Sequence, residues 1–153
     1  MSNKNTTEVE NKSYTEAVND YLKRFYEEIN QALQEDERIQ FNLLDEEGYT
    51  AIQKGSATVG INVLEDRGIL MFISHIMKVP ETQQLELFRK LLEYNFLATS
   101  DASFAIDRRN NQIYLRALRG LAGLDYGEFR DMLETVAMVA DEFDDKLKEE
   151  FSG

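Results

Sequence analysis

His75 is the only histidine in the 153-residue chain, and so the only imidazole that could serve as a general base or a metal ligand. Acid–base catalysis or metal ligation would need a second group aimed at it. Its neighbours Met71, Phe72, Ile73, Ile76 and Met77 are apolar, so it reads as a strand or interface histidine. The chain has no cysteine, which removes thiolate zinc sites, disulfide exchange and thiol nucleophiles. A hard cation would depend on oxygen ligands. Asp45-Glu46-Glu47 and the Asp141–Asp145 cluster lack calcium-loop spacing, and the second reads as the solvated face of the last helix. Ser100 and Ser103 lack a Gly-x-Ser-x-Gly setting. Gly120-Leu-Ala-Gly123 lacks the lysine of a phosphate loop and reads as a backbone bend. The expectation is a binding module, not an enzyme, with no catalytic residue, cofactor or metal.

The net charge is −12. A phosphate backbone or an anionic membrane surface would be repelled, which argues against nucleic-acid and membrane partners. The acidity serves solubility or attracts a basic protein segment. The main basic feature is Arg108 and Arg109 with Arg116, Arg119 and Arg67, set on turns and on one face of a hairpin. These arginines either discourage strand pairing between copies or dock an acidic segment. The first ten residues lack the basic start and apolar run of a secretory signal. The longest apolar stretch, Gly68 to Val79, is too short to span a bilayer. A soluble cytoplasmic protein is expected.

The elements that must position these residues follow from the hydrophobic period. Residues 1–12 read as a disordered polar tail, and 13–150 as one domain. Ser13-Tyr-Thr-Glu16 is a capping box, and the helix it opens should end near Glu35. Its apolar face is Tyr14, Val18, Tyr21, Leu22, Phe25, Ile29 and Leu33. The period then becomes two. Ile39, Phe41 and Leu43 alternate, suggesting an extra strand before Gly48. Tyr49 to Gly55 is a short strand. Ala57, Val59, Ile61 and Val63 line one face of the next, and Gly68 supplies the positive φ of a hairpin turn. A second helix should run from Glu81 to Phe96, with Leu85, Phe88, Leu91, Leu92 and Asn95 on one side. Two short strands turn at Arg108–Asn111. Asp125-Tyr-Gly-Glu128 opens the final helix, whose apolar face is Phe129, Met132, Leu133, Val136, Ala140, Phe143 and Leu147. The order is α-β-β-β-α-β-β-α: an α+β fold with an antiparallel sheet of about five strands packed against helices.

The returning strand Ile69–Lys78 is apolar on both sides, with Ile69, Met71 and Ile73 pointing one way and Leu70, Phe72 and Ile76 the other. Such a strand is covered twice. Helices supply one cover; another layer or another chain supplies the second. Either helix one packs on Leu70, Phe72 and Ile76, or they form an exposed patch at a homodimer interface. On the second reading Phe72→Asp breaks the dimer. The candidate protein-binding residues are Tyr21, Phe25, Leu70, Met71, Phe72, Ile76, Phe88, Arg108, Arg109 and Arg116.

Several local features carry a resemblance. The hairpin Ala57–Lys78 leads into Val79-Pro80-Glu81, and the following helix ends Leu91-Leu92-Glu93-Tyr94-Asn95. Phe104-Ala105-Ile106-Asp107, a polar turn and Ile113-Tyr114-Leu115-Arg116 come next, and Leu121–Leu124 precedes an amphipathic helix. From Ser13 to Leu147 the chain resembles the superfamily joining class I type III secretion chaperones of the CesT/Tir-chaperone type with YbjN-domain proteins. The resemblance implies a non-catalytic, often homodimeric protein. Secretion chaperones of that group wrap an extended effector segment around apolar patches on helix and sheet. The stretch after Ala98, Thr-Ser-Asp-Ala-Ser, lacks the Gly-rich loop of many such chaperones, which tilts the reading toward a YbjN-like regulator. A type III secretion chaperone is the alternative. An acidic inhibitor or immunity-type protein, with a rigid acidic face for a basic toxin, is another. An enzyme would instead show a deep cleft with convergent buried acids.

Overall fold

The computed structural model describes residues 12–151. The expected polar tail therefore lies outside the described residues, save Lys12, which pairs with Asp20. Among the described residues the order is α1 (Tyr14–Gln31), β1 (Tyr49–Lys54), β2 (Ala57–Leu64), β3 (Ile69–Lys78), α2 (Gln84–Leu97), β4 (Ser103–Asp107), β5 (Gln112–Gly120) and α3 (Tyr126–Phe151). The strands form one antiparallel sheet in the order β1-β2-β3-β5-β4. This is the expected α+β architecture.

Both capping residues hold. The Glu16 amide donates to Ser13 Oγ at 3.1 Å, and the Glu128 amide to Asp125 Oδ1 at 2.8 Å. α1 stops at Gln31, short of Glu35, and its last turn holds no basic residue. Carrying the helix on would set Glu35, Asp36 and Glu37 against the negative end of its dipole. Those residues form a separate 3-10 turn. The extra strand expected around Ile39–Leu43 does not form. Side chains of α1 take over its backbone groups: Asn30 bonds both the amide and the carbonyl of Ile39 (2.9 and 3.0 Å), and Asn19 accepts from the Leu44 amide at 2.9 Å. Phe41 stacks on Tyr26 at 5.3 Å. The segment is a strap tied along α1.

The core lies between the inner sheet face and the pair α1 and α3. Val59, Ile61, Val63, Leu70, Phe72, Ile113 and Leu115 point into it and are buried. α3 crosses β3, β2 and β5, and Phe129 meets Phe72 at 5.6 Å. α1 adds Val18, Leu22, Phe25 and Tyr26. The expected exposed patch is thereby corrected: Leu70, Phe72 and Ile76 are fully buried within one chain. Their cover is chiefly the last helix, which a 26-residue amphipathic segment supplies in one piece.

The acidic cluster on α3 is also only partly a solvated face. Asp144 is buried, and Ser56 Oγ donates between Asp144 (3.0 Å) and Asp141 (2.7 Å) while the Ser56 amide bonds Asp141 at 2.8 Å. The contact clasps the β1–β2 turn to α3. Gly55 makes it possible: its φ is +61°, and a Cβ there would stand 2.6 Å from the Asp141 carboxylate.

Phe72→Ala is expected to cost about 3–5 kcal/mol in urea unfolding, because the cavity would sit under α3. Phe72→Asp is expected to abolish the cooperative transition; a folded variant of altered mass would restore the interface reading. Hydrogen bonds from the Ser56 hydroxyl and amide hold Asp141 below the ordinary carboxylate range, and Arg109 holds Asp107 at about 2. Both carboxyls bind a proton less readily in the folded chain. Their stabilisation is therefore complete above about pH 4, and it is lost as pH falls through the folded values. Asp141→Asn is expected to flatten the fall of Tm as pH drops below about 4. An unchanged slope would remove the clasp from the account.

Candidate protein-binding surfaces

α2 is the helix least absorbed by the core. Leu87 and Leu91 face inward and are buried. Asn95 fixes its end to β4, accepting from the Phe104 amide at 2.7 Å, and Tyr94 packs on Phe143 with ring centroids 4.6 Å apart. The other side of the helix is apolar too. Leu85 is 80% exposed, Leu92 70%, Phe96 84% and Leu97 85%, with Phe88 half-buried between them. Leu85, Phe88, Leu92 and Phe96 are spaced three, four and four residues apart, which places them on one stripe. They border an open hollow of about 670 Å³, edged by the Arg89–Glu93 ion pair at 2.9 Å. Burying such side chains is worth about 1.5–3 kcal/mol each, so a continuous stripe marks an interface.

The outer sheet face is the second uncovered surface. The register sets Tyr49, Asn62, Met71 and Leu118 in one cross-strand row, and Ala51, Gly60, Ile73, Arg116 and Ser103 in the next. The Tyr49 ring lies over Gly60, where an added Cβ would meet its hydroxyl at 2.8 Å. Met71 and Ile73 are half-buried there, and Leu118 is exposed.

The candidate residues divide accordingly. Phe25, Leu70, Phe72 and Ile76 belong to the core, so they are not available to a partner in this arrangement. Tyr21 is half-buried and structural: its hydroxyl donates to the Leu124 carbonyl at 2.7 Å and its ring packs on Phe129. Phe88 lies on the α2 stripe. Met71 and Arg116 lie on the outer sheet face, and Arg108 and Arg109 on the adjoining turn. Leu85 and Leu92, expected on one side with Phe88, Leu91 and Asn95, are surface residues together with Phe96 and Leu97. The available signal was an excess: α2 carries two apolar stripes where packing on one sheet needs one. His75 bonds Gln112 Oε1 at 2.6 Å and sets its ring against Tyr114. Among the described residues no group of three or more His, Cys, Asp or Glu could hold a metal ion, and no helix is long and apolar enough to cross a membrane.

The chain is similar to a chain in the crystal structure of the ExsC–ExsE complex (22% identity, 89% of this chain and 97% of that one, TM-score 0.68). It is similar to a chain of the heterodimeric ExoU–SpcU complex from the type III secretion system of Pseudomonas aeruginosa (19% identity, 72% and 89% covered, TM-score 0.55). It is also similar to a structure of the Yersinia pestis type III secretion chaperone SycH in complex with a fragment of YscM2 (15%, 80% and 95%, TM-score 0.53). At these identities the likeness establishes the fold. No curated protein matches the sequence. The profile of the Tir chaperone protein (CesT) family matches residues 22–143, which runs from within α1 to within α3 and takes in the whole sheet. The chain belongs to the Tir chaperone protein (CesT) family.

Proposed function

We propose that this protein is a non-catalytic, cytoplasmic chaperone of the type III secretion kind. It acts as a homodimer joined through α2 and holds a partner polypeptide. The observation that carries the dimer is the α2 stripe, with Leu85, Leu92 and Phe96 at least 70% exposed on a helix already anchored by its opposite side. Family membership supports the partner-holding role, as do the complexes in which the similar folds occur. These favour a secretion chaperone over a YbjN-like regulator as the narrower reading. Acidity fits the role, since net repulsion keeps dimers with uncovered apolar surface apart.

Light scattering of the purified chain is expected to give twice the chain mass. The double variant Leu92→Asp, Phe96→Asp is expected to give a single chain mass with an unchanged far-UV spectrum, because both side chains are exposed. A wild-type monomer would overturn the dimer. Co-expression with proteins encoded beside the gene, followed by limited proteolysis, tests the partner. A protected stretch without a fold of its own is expected. The absence of any stable complex would overturn the chaperone reading.

A further inference from the structure

One concavity on the outer sheet face combines apolar floor with unneutralised positive charge. It measures about 450 Å³; Met71 and Ile73 of β3 and Tyr114 of β5 form its floor, and the β4–β5 turn closes one end. Arg116 stands beside Ile73, its cross-strand neighbour, and Arg108 stands at the turn. Arg109 is already neutralised, its guanidinium bonding both oxygens of Asp107 at 3.0 and 2.8 Å. Arg108 and Arg116 are exposed and make no ion pair among the described residues. In a chain of net charge −12, carboxylates are abundant, so two unpaired arginines around one apolar floor leave a local charge for something else to meet.

We propose that this hollow docks an extended segment of a partner polypeptide in which acidic side chains alternate with aliphatic ones. Alternation follows from the period of two. A strand laid on the face sends every second side chain down, onto Met71 and Ile73, while carboxylates along its border reach the fixed forks of Arg116 and Arg108. A second copy of this chain is a poor occupant. A two-fold axis through the hollow would set Arg116 against Arg116 and add two acidic chains to each other. Nucleic acid is repelled by the chain as a whole. The inference rests on the partner-binding reading above and names the chemistry of the bound segment. It uses a different surface from the α2 stripe.

The test is selection of a displayed library of random short peptides on the full-length chain. Recovered peptides are expected to be enriched in Asp and Glu beside Val, Ile or Leu. They should shift the amide resonances of Met71, Ile73 and Tyr114. Arg116→Glu and Arg108→Glu are each expected to weaken them by about tenfold or more, with Arg116→Lys intermediate and added salt weakening all. Both positions are exposed, and far-UV spectra verify that the variants fold. Peptides without acidic enrichment, shifts confined to α2, indifference to both reversals, or recovery of no peptide would each overturn the proposal. If the natural partner is held equally by wild type and Arg116→Glu, this inference fails and the chaperone reading stands. If the wild type holds no partner at all, the chaperone reading itself fails.

Discussion

The packing of α3 across the inner sheet face, centred on Phe129 against Phe72, is the contact on which the remaining structure depends. A twisted antiparallel sheet of five strands has two faces to satisfy, and α3 and α1 together seal only the inner one. The strap after α1 and the clasp at Ser56 tie the rims of that layer to the helices without adding a second one. What is left over, namely the outer sheet face and the far side of α2, stays open because no further element of the described chain reaches it.

That remainder is where function is proposed. The two surfaces differ in kind. The α2 stripe is almost purely aliphatic and aromatic, which suits a permanent contact between identical partners. The sheet hollow mixes apolar floor with arginine, which suits a segment selected by charge pattern as well as by shape. Both stand on an acidic protein whose net charge opposes indiscriminate association.

Much of the fold was legible because the signals were local. Ser13 and Asp125 announce helix starts through their own oxygens, and Gly68 marks its turn by adopting φ of 64°. The alternation of Ala57, Val59, Ile61 and Val63 gives β2 its buried face directly. The strap was misread because Ile39, Phe41 and Leu43 alternate as a strand does, while the groups that bind its backbone, Asn19 and Asn30, sit far back on α1. No local pattern encodes that pairing. The same holds for the Ser56 clasp, which joins residues 85 positions apart.

The candidate site was legible only as a surplus. Composition and period, which belong to each segment alone, already showed that β3 carries more apolar side chains than one packed layer can hide and that arginines gather near the last hairpin. Which side is hidden emerged only from packing. It turned Leu70, Phe72 and Ile76 inward beneath α3, and left Met71, Ile73 and the Leu85–Phe96 stripe outside. Burial is a property of pairs of surfaces. A strand or helix fixes the spacing of its side chains, but which of its faces meets a neighbour is settled only when the elements pack.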